Sequence, residues 1–256
     1  MEVKLEYGNW IRKKNLMILG VCALAMGMLS FVPLGPFYRL VTTVLFVILL
    51  VSFLFPLYSY VMFSQQGGGF QDKLYGLIIQ RLGKDVKGRV LDIGSGNGVL
   101  AVKLACANTE AEVLGIDYWG PDWEYSKQVC EKNAKAAGVE ARVHFQKGDA
   151  AALDFPSNTF DAVTSNLTFH EVRSVPDTRA VVREALRVVQ PGGSFAVIDY
   201  FYEEKCYGEK LDFEHFLQEL GLAQFDVQPI SELIAIPALL KHPRILGKVG
   251  MISGRK

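Results

Sequence analysis

The sequence predicts an α/β protein, a doubly wound and mainly parallel sheet of seven strands preceded by two transmembrane helices. Three observations predict it. Residues 89–98, Arg-Val-Leu-Asp-Ile-Gly-Ser-Gly-Asn-Gly, read as a buried strand that breaks into a glycine turn and then enters a helix. From Gly88 onward, short apolar runs alternate with helix-patterned stretches, as strands joined by crossover helices do. Ahead of that, two long runs carry no charge at all, 16–32 and 40–63.

The chain has 256 residues, enough for one ordinary domain and something small. Its 27 basic and 27 acidic side chains balance, so no bulk charge points to nucleic acid. Cys22, Cys106, Cys130 and Cys206 are scattered, without a C-x-x-C pair. That pattern suits free thiols in a reducing compartment and gives no support to a metal site.

Residues 1–15 are polar and end in Arg12, Lys13 and Lys14. The run 16–32 is followed by the turn signal Pro33-Leu34-Gly35-Pro36. The run 40–63 would span roughly 36 Å as a helix, enough for a hydrocarbon core of about 30 Å. The first run gives only about 25 Å, near the short limit. A basic flank before a short apolar run also suits a signal peptide, but a second long run follows directly. The expectation is a transmembrane hairpin over 1–63, with Pro56 as a kink. Lys4, Arg12, Lys13 and Lys14 precede it and only Arg39 lies in its turn, which puts both termini and all that follows on the cytoplasmic side. The lipid bilayer is therefore an expected partner, and the two helices can also pair with another membrane protein.

Residues 64–70, with Gly67, Gly68 and Gly69, read as a flexible linker, and 71–256 as the soluble domain. Leu74, Leu77, Ile78 and Leu82 make a helical face that covers one side of the sheet. Strands are expected over 89–93, 112–117, 141–147, 160–166, 194–202, 223–228 and 248–253. Helices are expected near 98–107, 122–137, 177–189 and 209–220.

The glycine turn narrows the ligand. A dinucleotide site needs G-x-G-x-x-G, but position 99 is Val99, so the spacing is G-x-G-x-G after Asp92. No Gly-Lys-Ser/Thr follows, which removes a Walker loop. The stretch resembles motif I of the class I S-adenosylmethionine-dependent methyltransferases. Three further stations resemble the same family in its order. They are Gly148-Asp149-Ala150, the run Phe155-Pro156-Ser157-Asn158-Thr159-Phe160-Asp161-Ala162-Val163, and Val188-Val189-Gln190-Pro191-Gly192-Gly193-Ser194-Phe195.

The resemblance implies a Rossmann-like fold and S-adenosylmethionine as cofactor. It implies Asp92 and the turn of Gly94, Ser95, Gly96 and Gly98 around the methionyl part. Asp117 would take the ribose hydroxyls, Asp149 and the N–H of Ala150 the adenine, and Asn166 would lie beside the cofactor at the end of the fourth strand. Asp92 has a second reading, holding the loop through backbone N–H groups. Tyr118 and Trp119 either stack on the adenine or pack ordinarily.

Beyond the fourth strand run Leu167-Thr168-Phe169-His170-Glu171. His170 can accept a proton as methyl transfer proceeds, and Glu171 can do so or hold His170. The other reading of His170 is simple pocket lining. Tyr200, Phe201, Tyr202 and Tyr207 either clamp a substrate or pack a core. The expected activity is methyl transfer to a small apolar or lipid-like acceptor. The rival is a sensor or assembly module that binds the cofactor without turnover. An aminopropyl transferase would need a more acidic pocket than Glu171 and Asp177 offer. A nucleic-acid substrate lacks a basic patch or recognition module.

Overall fold

The structure is a computed structural model describing residues 4–83, 86–121 and 123–256. It divides into two compact units. One holds residues 4–8 together with Lys73–Lys256, and the other holds Asn9–Asp72.

The larger unit is built on one seven-stranded sheet in the order β3-β2-β1-β4-β5-β7-β6. Its strands are β1 (Gly88–Ile93), β2 (Ala111–Asp117), β3 (Val143–Lys147), β4 (Phe160–Asn166), β5 (Val189–Asp199), β6 (Gln224–Pro229) and β7 (Gly250–Arg255). The first five run parallel, and β7 pairs antiparallel with both β5 and β6. The central strands are apolar on both sides because helices cover both faces. In β1, Val90, Leu91 and Ile93 are fully buried. Helices α4 (Val99–Ala107) and α5 (Lys127–Ala136) lie against β2 and β3. On the other face, Leu91, Ile93, Val163, Phe195 and Val197 join Val181, Val182, Ala185 and Leu186 of α6 (Arg179–Arg187) and Phe213 and Leu217 of α7 (Lys210–Glu219) in one core.

Two local differences from the sequence expectation have visible causes. Helix α5 begins at Lys127 because Ser126 caps it, its Oγ accepting from Val129 N–H at 3.3 Å. Asp122, the expected start, lies outside the described residues. The Pro191-Gly192-Gly193 segment is not a turn between helix and strand. Helix α6 already ends at Arg187, and residues 190–193 bulge within β5 opposite Asp161. The Asp161 carboxylate fixes that bulge by accepting from Gln190 Nε2 and Arg89 N–H. Lys256 Nζ donates to the carbonyls of Leu186, Arg187 and Val189 at 2.8–3.0 Å, which caps the end of α6.

The smaller unit is a pair of helices, α1 (Lys13–Leu29) and α2 (Pro36–Phe63). Among the described residues only α2, with 28 residues, is long and apolar enough to cross a membrane; α1 has 17. In α2 the apolar side chains Leu40, Val44, Leu45, Val47, Ile48, Val51 and Leu54 are exposed on the chain itself. Pro56 sits inside α2, which runs on through it. The expected linker is a hydrogen-bonded turn rather than an open chain. Gly68 N–H donates to Val61 O, and Gly67 and Gly69 N–H donate to Ser64 O. Helix α3 (Phe70–Leu82) then begins directly, and Arg81 binds Gln228 and Asp226 of β6 at 2.6 and 3.4 Å.

Candidate active site

Ligands of such sheets sit beyond the carboxyl ends of the strands, where the strand order reverses. Here the reversal lies between β1 and β4. The chemistry-bearing residues stand at those ends in strand order. Asp149 follows β3, Asp117 ends β2, residues 94–98 follow β1, Asn166 ends β4 with His170 just beyond it, and Asp199 ends β5. Four inter-strand steps make this row roughly 19 Å long. That is room for an extended cofactor with an acceptor at one end.

The glycine turn is held from every side. Gly94 and Ser95 N–H both donate to Ile116 O, and Gly98 N–H donates to Ser95 O. Asp117 Oδ2 accepts from Gly96 N–H at 2.8 Å and Oδ1 from Trp119 N–H at 2.7 Å. Gly96 O accepts from Trp119 Nε1 at 2.9 Å and from Cys130 Sγ at 3.2 Å. Gly94 has φ +76°, and a Cβ placed there would lie 2.0 Å from Thr168 Oγ1. Gly94→Ala is therefore expected to displace the segment that carries His170. Calorimetric titration should show cofactor affinity falling at least tenfold, about 1.4 kcal/mol, with a lower melting temperature. Unchanged affinity would refute the close approach.

Two buried side-chain atoms in this row have no hydrogen-bond partner, Asp92 Oδ2 and Asn166 Oδ1. Asp92 Oδ1 accepts from Thr164 Oγ1 at 3.1 Å. Burial pushes the Asp92 carboxyl up from 3.8 to about 6. Orphaned buried acceptors are uncommon, and a carboxylate aimed into a site suits a cationic ligand group. Burial also raises Asp117, against the backbone N–H bonds of Trp119, Gly96 and Tyr118. These donor and acceptor sets fit an S-adenosylmethionine molecule, which has an α-ammonium at one end and ribose hydroxyls in the middle.

Beyond β4 the chain makes an unusual turn. Leu167 adopts φ +53°, a left-handed conformation that costs a leucine about 1–2 kcal/mol. Its N–H donates to Ile198 O at 2.7 Å. The turn leads into a single 3-10 turn, Phe169–Glu171, with Phe169 fully buried. Asp199, also fully buried, accepts from Phe169 N–H (2.8 Å) through Oδ2 and from Tyr200 N–H (2.7 Å) through Oδ1. Oδ1 also lies 2.8 Å from His170 Nδ1. A carboxylate only accepts, so neutral His170 carries its proton on Nδ1 and leaves the Nε2 lone pair available. Burial alone would lower the His170 pKa, but the Asp199 charge and hydrogen bond outweigh it and raise it above 6.5. The Tyr200 ring stands edge-on at 4.6 Å, its hydroxyl tied to Ile245 O at 2.7 Å.

The structure thus assembles most of the residues expected from the sequence and redistributes some roles. Asp117, rather than Asp92, bonds the backbone of the glycine turn at Gly96. Glu171 does not hold His170: its Oε1 lies 3.7 Å from Nε2, beyond hydrogen-bond reach. Asp199 holds it instead, and sequence reasoning missed Asp199. The available signal was a carboxylate at the end of the fifth strand, in Ile198-Asp199-Tyr200. Asp149 Oδ1 accepts from Ala151 N–H at 2.9 Å, and Ala150 is buried beside it. Tyr118 is exposed, with Lys147 Nζ 4.7 Å from its ring centre, while Trp119 (φ +44°) turns inward onto Gly96. Phe201 and Tyr207 pack in the core with Phe213 rather than lining a clamp.

Such a row at the strand ends defines a class of protein, the doubly wound α/β folds that hold a nucleotide-type ligand at the switch point. Comparison with known proteins then places the chain: residues 84–231 match the family described as Methyltransferase domain, and the chain belongs to it. The 27-O-demethylrifamycin SV methyltransferase of Amycolatopsis mediterranei is 35% identical over 163 residues, 63% of this chain and 54% of that one. A demethylmenaquinone methyltransferase of Thermus thermophilus is 37% identical over 112 residues, 44% of this chain and 47% of that one. The chain thus spans about half the length of the curated relatives it matches. Among solved structures, the [4+2]-cyclase SpnF shares the fold, with TM-score 0.54 and 20% identity over 72% of this chain and 80% of that one.

Proposed function

We propose that this chain is a membrane-anchored methyltransferase that moves the methyl group of S-adenosylmethionine to a small apolar or lipid-like acceptor. The observation that carries the acceptor class is α2, whose apolar side chains stay exposed on the chain and suit lipid. The rifamycin and demethylmenaquinone methyltransferases, named for small-molecule acceptors, support it. In this reading α1 and α2 form a two-pass anchor over 1–63. The basic residues Lys4, Arg12, Lys13 and Lys14, ahead of and at the start of α1, keep both termini and the catalytic domain cytoplasmic. A partner membrane protein is compatible with the same helices.

Asp92 and Asn166 take the methionyl end of the cofactor, with Gly94, Ser95, Gly96 and Gly98 beneath it. Asp117 takes the ribose, and Asp149 with Ala150 takes the adenine, with Tyr118 or Trp119 against it. Bound there, the cofactor supplies a methyl group already activated on a sulfonium. The residues then mainly align the acceptor, which is worth several orders of magnitude in rate. With the cofactor bound, these residues would hold the acceptor atom in line with the methyl–sulfur bond, so that the new bond to carbon could form as the carbon–sulfur pair is left on sulfur. His170 Nε2 takes the acceptor's proton where there is one to lose. Glu171 lines the same opening.

The test is full-length protein in lipid vesicles given methyl-labelled S-adenosylmethionine and a demethylated quinone or total lipid extract. Label is expected in the organic phase, with the protein floating with the vesicles after an alkaline wash. Cofactor binding without label in any fraction would favour the sensor reading. Label in the organic phase with the protein left in the supernatant would remove the anchor.

A further inference from the structure

Residues 4–8, about 90 positions ahead of the glycine turn and outside the matched family region, form an extended strap on the cofactor domain. Burial alternates along it, with Leu5 and Tyr7 buried and Lys4, Glu6 and Gly8 exposed. Its anchor is Asn133 on α5, a side chain only 2% exposed. Asn133 Oδ1 accepts from Glu6 N–H at 2.8 Å, and Nδ2 donates to Glu6 O at 3.0 Å. The same Nδ2 donates to Asn97 O at 2.9 Å, inside the glycine turn. Asn97 Oδ1 accepts in turn from Ser126 N–H, the cap of α5. Lys132 pairs with Glu6 beside this bridge. Gly8 (φ +71°) closes the strap against Tyr125, whose ring would lie 2.7 Å from a Cβ at that position.

One amide therefore serves both the strap backbone and the cofactor turn. We infer that Asn133 is a positioning residue for the cofactor turn, and that residues 4–8 are part of the device that keeps this turn in its binding shape. The inference rests on the reading that residues 94–98 hold S-adenosylmethionine. With the strap removed, a buried Asn133 donor and acceptor lose their partners. The amide is then free to rotate, which weakens its hold on Asn97 O. By linkage, an effect of the strap on cofactor affinity requires an equal effect of cofactor on strap docking.

The experiment uses the full chain, with S-adenosylmethionine as the probe. Replacing Leu5-Glu6-Tyr7 with Gly-Ser-Gly is expected to raise the cofactor Kd about tenfold while the domain stays folded. Asn133→Ala is expected to do the same, and the double variant to be no weaker than either alone. Cofactor is expected to slow hydrogen exchange in peptides covering residues 4–8 by a similar factor in the native chain. An unchanged Kd in the strap variant, or exchange at residues 4–8 that ignores the cofactor, would overturn the inference. Asp92→Asn separates the two failures. If that variant loses cofactor binding and the strap variants do not, only the strap inference falls. If Asp92→Asn binds normally, the placement of the cofactor itself is wrong.

Discussion

Replacing Asp92 with asparagine is expected to weaken S-adenosylmethionine binding at least a hundredfold while raising the melting temperature of the cofactor-free protein. Both effects come from one buried charge. Burial holds the folded-state pKa near 6 against an ordinary 3.8. A group raised in this way contributes stability that is fully present below the unfolded pKa and is lost as pH rises through the folded one. Above pH 6 the folded protein therefore carries an ionised carboxylate at a cost of about 3 kcal/mol. Asparagine removes that cost. For a unit of this size about 3 kcal/mol corresponds to a rise of several degrees. The gain is expected at pH 7.5 and should vanish by pH 3, below the unfolded-state pKa of 3.8, where Asp92 is protonated in both states. The cofactor sees the opposite sign. Its ammonium would be the partner that Asp92 Oδ2 lacks, and removing one member of a buried ion pair costs about 3–5 kcal/mol. The native protein should accordingly lose affinity below pH 6, approaching tenfold per pH unit. Paired melting curves and calorimetric titrations at three pH values check this. Equal cofactor affinity in native protein and variant would refute the assignment.

The two features behind that prediction were legible in the sequence to different degrees. The glycine turn was legible because its parts are contiguous: Val90, Leu91 and Ile93 mark a buried strand, and the glycine spacing marks the turn. Asp117 was legible because a parallel crossover brings the end of the next strand beside that turn. The Asp199–His170 pair was not, because 29 residues separate its members. It exists only through the β4–β5 register, which sets Asn166 opposite Ile198. The sequence points to Glu171, the adjacent acid, but its carboxylate stops 3.7 Å from Nε2 while Asp199 reaches Nδ1 at 2.8 Å. The strap was equally hidden. Leu5 and Tyr7 give only one alternation, too short to separate from a polar flank ahead of an apolar helix. The late start of α5 was missed because Ser126 caps the helix only once Asn97 holds its N–H. Where the chain's own neighbours decide, pattern suffices; where a distant side chain decides, it does not.

His170→Gln and Asp199→Asn are expected to reduce methyl transfer in different ways while leaving cofactor Kd within about twofold. Loss of the Nε2 base should lower the transfer rate by about a hundredfold or more for an acceptor that must shed a proton. The pH profile carries the decisive information. Asp199 raises the His170 pKa, so the native rate should climb with pH through a midpoint above 6.5. Asparagine at 199 withdraws the negative charge that favours imidazolium, and its amide no longer dictates which ring nitrogen keeps the proton. The acidic limb should therefore move to lower pH, and the plateau should fall by about ten- to a hundredfold because the wrong tautomer is populated. His170→Gln should erase the limb altogether. A general loss of structure would lower the plateau without moving the limb, so the two explanations separate. His170→Gln at full rate would leave the ring as a packing element under the acceptor. Catalysis would then rest on alignment by Thr168, Phe169 and the left-handed turn at Leu167.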